Sequence, residues 1–61
     1  MKKVYIVFCR PDDDETFIDN IYSSMKKAED VLNQDTSLKR QQGNAWYGEG
    51  RYYYIEEYEV S

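Results

Sequence analysis

Five groups of side chains in this sequence could carry chemistry. Asp12-Asp13-Asp14-Glu15 sets four carboxylates in a row, the raw material of a cation site. Calcium loops, however, space their ligands at alternate positions and turn on a glycine. A contiguous run cannot aim four carboxylates at one point, so it reads as a solvated loop and no metal site is expected. Glu56, Glu57 and Glu59 form a second acidic set. Acid–base catalysis needs paired carboxylates in environments that push their pKa values apart. Strand alternation puts Glu57 and Glu59 on one face, where charge keeps an edge strand soluble. Cys9 is the one thiol, and the chain has no histidine to activate it. At the end of an apolar strand it reads as a small packed side chain. Gly48-Glu49-Gly50 is too short and too acidic to cradle a phosphate, and reads as a turn.

The fifth group is aromatic. Trp46, Tyr47, Tyr52, Tyr53 and Tyr54 flank Arg51. Tyrosine suits half-wet surfaces, because its ring can be covered while its hydroxyl stays hydrated. Rings on both faces of a hairpin could meet a second copy of the chain, dock a foreign protein as hot-spot side chains, or stack on a nucleotide base. The expectation takes them in that order. Arg51 could pair with a carboxylate or phosphate in the last two cases. A dimer seam would also draw on Tyr5, Val7 and Tyr58.

Length and composition narrow the classes. At 61 residues there is room for one domain, spanning 1–61. A domain of this size buries only about 60% of the surface its unfolded chain exposes. A single cysteine allows no internal disulfide and suits a reducing compartment. A partner is therefore the expected supplement to stability, and self-association its simplest form. Eight basic against twelve acidic residues give a net charge of −4, which argues against direct binding of nucleic acid. The opening apolar run is too short for a signal peptide, and no stretch approaches the ~20 apolar residues of a membrane span. The expected location is the cytoplasm, with no membrane contact and no cofactor.

The elements that would position these groups follow from periodicity. Residues 2–9 alternate as a strand with Val4, Ile6 and Phe8 on one side and Tyr5, Val7 and Cys9 on the other. Both sides are apolar, so both should be covered. Residues 10–15 break the strand at Pro11 and the acidic run. Residues 16–22 fit either a second strand or the start of one long helix. The strand is favoured, because Ser23-Ser24 makes a good N-cap and sits badly inside a helix. A helix from Ser24 to about Gln34 follows, with Met25, Ala28, Val31 and Leu32 as its apolar stripe. Residues 35–44 are polar and read as a loop. Residues 45–60 read as an aromatic hairpin about a glycine-containing turn. Tyr53 and Ile55 share one parity while Tyr58 and Val60 take the other. A bulge near Glu56-Glu57 would bring all four to one side; otherwise both faces of that strand are partly covered.

Three segments resemble a group of small bacterial and phage domains of unknown function. They are Lys3-Val4-Tyr5-Ile6-Val7, Ile18 to Glu29 around Tyr22-Ser23-Ser24, and Tyr53-Tyr54-Ile55-Glu56-Glu57-Tyr58-Glu59-Val60. The resemblance covers about half the chain, supports the second strand and brings no catalytic residue. Asn20-Ile21 stands where that group usually has a glycine.

The expected fold is α+β: a small antiparallel sheet of three or four strands with one helix on a face, in the order β-β-α-β-β. The expected function is a non-enzymatic binding protein, a homodimer, acting as a phage or mobile-element inhibitor of a bacterial host defence protein. The alternatives are a sponge that sequesters a nucleotide signal with the aromatic hairpin, an acidic mimic of nucleic acid, and a housekeeping domain.

Overall fold

Alternating apolar residues at both ends of the chain make the two longest strands, and these pair with each other. The computed structural model describes residues 2–60. Along it run β1 (Lys2–Pro11), β2 (Phe17–Tyr22), α1 (Met25–Gln34), β3 (Lys39–Arg40), β4 (Ala45–Gly48) and β5 (Arg51–Val60). They form one antiparallel sheet in the order β2-β1-β5-β4-β3. β1 and β5 lie at its centre, in unbroken register from Lys2 opposite Val60 to Pro11 opposite Arg51.

This corrects the expected fold class. The molecule is a five-stranded antiparallel sheet, 54% strand and 17% helix, and so closer to all-β than to α+β with three or four strands. The helix does pack on the sheet. The strand that was missed, β3, is two charged residues long and lies in the stretch read as loop. A strand that short and polar leaves no alternation to detect, and charge is what an exposed edge carries. β1 also continues through Arg10 and Pro11, where a break was expected. Backbone alternation explains why Pro11 is tolerated. Asp12 donates its N–H to Gly50 O on the β5 side, so position 11 faces the β2 side, beyond the last β1–β2 pair at Cys9 and Phe17. Its missing N–H costs the ladder nothing.

The bulge expected near Glu56-Glu57 is not there. The register shifts in β2 instead, where Asp19 is skipped between the pairs Val7–Asn20 and Phe8–Ile18. The parity change in β5 therefore stands as two differently used faces.

Ser24 caps α1 as expected: its Oγ accepts the Lys27 N–H at 3.1 Å. The helix presses Ala28 and Leu32 onto Val7, Trp46 and Ile55, with Tyr5, Tyr22, Met25, Leu38 and Tyr53 packed around them. Val31, counted in the apolar stripe, points outward and is 45% exposed. The β4–β5 turn has Glu49 at φ 52° and Gly50 at φ 74°. Two left-handed residues in a two-residue loop match the right-handed twist of the strands they join.

Candidate functional site

The sheet has two faces, and one ten-residue helix lies on one of them. On the covered face the odd-numbered residues of β1 and β5 meet: Tyr5, Val7 and Cys9 against Glu57, Ile55 and Tyr53. Val7 and Cys9 are each 1% exposed. On the other face lie Val4, Ile6, Phe8 and Arg10 of β1, with Tyr52, Tyr54, Glu56 and Tyr58 of β5. Tyr47 of β4 and Ile18 and Ile21 of β2 extend it on either side. No element of the described chain lies over this face. Ile18 and Ile21 are more than half exposed.

The aromatic hairpin is thus divided between the two faces. Trp46 is 1% exposed and belongs to the core. Its Nε1–H donates to Asn33 Oδ1 at 2.9 Å, and the Arg40 guanidinium lies 4.8 Å from its ring centre. Arg40 in turn reaches Glu29 of α1 at 2.6 Å. Tyr53 packs at the core margin, where burial pushes its hydroxyl pKa up and Arg51 acts in the opposite sense. Of the hairpin rings, Tyr47, Tyr52 and Tyr54 remain for the bare face.

Those rings are ordered among themselves. Phe8 and Tyr54 stack with centroids 5.1 Å apart and planes 18° from parallel. Tyr52 follows at 5.9 Å from Tyr54, and the Arg10 guanidinium lies 5.3 Å from the Tyr52 ring centre. A base inserted between two rings needs about 7 Å, two contact distances. Phe8 and Tyr54 already use their facing sides on each other, so the hairpin is not an open clamp.

Hydroxyl groups at the margins are tied to carboxylates. Tyr58 donates to Glu56 at 2.7 Å, and Tyr47 donates to Asp12 at 3.0 Å. Each hydrogen bond to a carboxylate holds its phenol above the ordinary tyrosine range. Tyr5, on the helix side, is raised in the same way by Glu57.

The residues named from sequence as one sheet-face seam do not share a surface. Tyr5 and Val7 lie on the helix-covered side and Tyr58 on the bare side, because Tyr58 pairs with Val4 and so takes the even parity of β1. Arg51 takes the odd parity, away from Tyr52 and Tyr54. It borders an open depression of about 670 Å³ between the β1–β2 loop and the β4–β5 turn, together with Asp12, Asp13, Asp14 and Glu49. Among the described residues no group of three or more His, Cys, Asp or Glu could hold a metal ion. No helix among them is long and apolar enough to cross a membrane. Sequence reasoning missed Arg10, Phe8, Ile18 and Ile21 as parts of one surface. The signal was present as the even-numbered apolar positions of the first strand, which were expected to be covered.

A family described as a domain of unknown function (DUF7336) matches residues 2–61. No curated protein and no solved structure matches the chain.

Proposed function

We propose that this chain, which belongs to the DUF7336 family of unknown function, is a non-enzymatic protein-binding domain whose recognition surface is the bare face of its sheet. One observation carries the reading. Val4, Ile6, Phe8, Ile18, Ile21, Tyr52, Tyr54 and Tyr58 share a face over which no helix or strand of the described fold lies; Ile18, Ile21 and Tyr58 are exposed and the other five are half-buried among their neighbours. Contiguous apolar surface of that kind is rare on a protein that works alone. Tyrosines beside aliphatic residues, with one arginine, match the composition of interface centres.

A non-enzymatic role is supported by the chain's chemistry. Its one thiol is buried, and it has no histidine. Glu56 lies on the opposite face of β5 from Glu57 and Glu59, and Glu57 is already engaged by the Tyr5 hydroxyl and the Lys3 ammonium. A nucleotide sponge has less behind it, since Trp46 is buried and the Phe8–Tyr54 stack is closed. The biological setting we carry is an inhibitor encoded by a phage or mobile element and aimed at a host defence protein in the cytoplasm. Its support is the acidic balance of −4, which suits a basic partner.

Oxidative footprinting tests the face. The chain is labelled in an extract of the cells that express it, and again as purified protein at high dilution. Phe8, Tyr52, Tyr54 and Ile21 are expected to be protected in the extract. Equal oxidation in both states would remove the bare face from the proposal.

A further inference from the structure

Resting on the reading of the bare face as a protein-binding surface, we infer that its occupant is a second copy of this chain, packed face to face about a two-fold axis that crosses the strands at the Phe8–Tyr54 row. In that arrangement Arg10 of each copy meets Glu56 of the other.

The charge pattern on the face selects the axis. Its cross-strand rows run Arg10–Tyr52, Phe8–Tyr54, Ile6–Glu56, Val4–Tyr58 and Lys2–Val60. Arg10 lies one row to one side of Phe8–Tyr54, and Glu56 one row to the other. A two-fold axis in the interface, perpendicular to the strands at the middle of these three rows, exchanges the outer two. An axis along the strands would instead set Arg10 level with Arg10. Among the described residues neither Arg10 nor Glu56 takes part in an ion pair. β1 and β5 are neighbouring strands, about 4.8 Å apart, so a guanidinium reaches the facing carboxylate across one strand. Like charges facing each other oppose the alternative axis, and this is how charge chooses register at an interface.

The edges of the sheet point the same way, because they are less available than the face. Ile55 donates its N–H to Asn44 O, so odd positions of β5 bond toward β4 and even ones toward β1. Carried across β1, that alternation turns Asn20 and Tyr22 toward β1 and Ile21 outward. The outward Ile21 N–H is accepted by Asn20 Oδ1 at 2.8 Å. Together with the irregularity at Asp19, this blunts β2 as a template for strand addition. The opposite edge, β3, is two residues long. A second copy is therefore expected to stack on the face rather than extend the sheet. The molecule's two longer extents, 36 and 23 Å, leave room for the about 800 Å² per partner that a stable interface buries. Two such faces would pack about 10 Å apart, as in a β-sandwich.

Mass in solution, followed over a concentration series, tests the inference on the whole chain. The wild type is expected to weigh twice its 7.3 kDa. Arg10→Glu and Glu56→Arg, each at an exposed site, are each expected to weaken dimerisation by about tenfold or more, and the double variant to recover most of that loss. Circular dichroism of each variant separates a lost dimer from a lost fold. A wild type that stays monomeric at high micromolar concentration, or a double variant as weak as the singles, overturns the inference. If the wild type is monomeric but Phe8 and Tyr54 are protected in extract, another protein occupies the face: the binding reading survives and the dimer does not. A dimer whose Phe8, Tyr52 and Tyr54 remain fully oxidisable in extract as well as in the purified protein sinks both.

Discussion

The indole N–H of Trp46 donates to the side-chain oxygen of Asn33 across 2.9 Å, tying the largest fully buried side chain to the last turn of the helix. The bond satisfies a polar atom that the core would otherwise strand.

Removing that acceptor should be costly. Asn33→Ala leaves the indole N–H without its partner and is expected to cost about 1–3 kcal/mol. Asn33→Asp keeps an acceptor at the same place and should cost less. Urea unfolding followed by tryptophan fluorescence checks both, and equal stability of Asn33→Ala and wild type would show that the bond contributes nothing net.

Gly48 stands where β4 lies against the loop after the helix. A Cβ added there would lie 1.9 Å from the backbone oxygen of Ser37. Backbone cannot rotate aside as a side chain does, so Gly48→Ala must move the loop or the strand. A loss of about 1–3 kcal/mol is expected, read as a lower thermal midpoint. Gly43→Ala makes a useful contrast: open space surrounds it, and its cost is the left-handed backbone alone.

Glu49 holds a left-handed conformation at φ 52°, which costs a residue with a β-carbon roughly 1 kcal/mol. Asparagine tolerates that region better and is favoured in this turn type. Glu49→Asn should therefore stabilise the hairpin by about 0.5–1 kcal/mol. A thermal midpoint at or below that of wild type would count against the turn geometry.

Three phenols should titrate late because they donate to carboxylates. Tyr5, Tyr47 and Tyr58 donate to Glu57, Asp12 and Glu56, and each is held above its usual value of 10.0. A group whose pKa is higher in the folded state contributes stability below the unfolded value, and that contribution is lost as pH rises through the folded one. The contribution of these bonds should thus be constant through neutral pH and fade above pH 10. Ultraviolet titration of tyrosinate checks the order of ionisation. Asp12→Ala removes both the hydrogen-bond acceptor and its charge and should bring Tyr47 down toward the ordinary range, leaving Tyr58 where it was.

Local patterns were legible where a residue's own neighbours decide the structure. The alternation of Val4 through Cys9, the Ser24 cap and the helix to Gln34 all follow from spacing and short-range hydrogen bonding. The second strand at Phe17–Tyr22 was legible from the same kind of signal. β3 was not, because two charged residues become a strand only when β4 lies beside them. The division of the hairpin rings was hidden for a related reason. Trp46 and Tyr47 are neighbours in sequence, and only the position of α1 decides that Trp46 enters the core while Tyr47 stays 40% exposed.

From the sequence alone came the strand and helix periods, the absence of a disulfide, and a shortage of covering layers for so many apolar positions. Tertiary structure decided which side goes uncovered. Register sets that choice: with Val7 opposite Ile55, the odd residues of both central strands fall together beneath the helix. The even residues, with Arg10, Phe8, Tyr54 and Glu56 in adjacent rows, are then left to meet whatever binds. Such pairing between strands forty or more residues apart cannot be read from local spacing, because the energy that selects it arises only when the two strands come together.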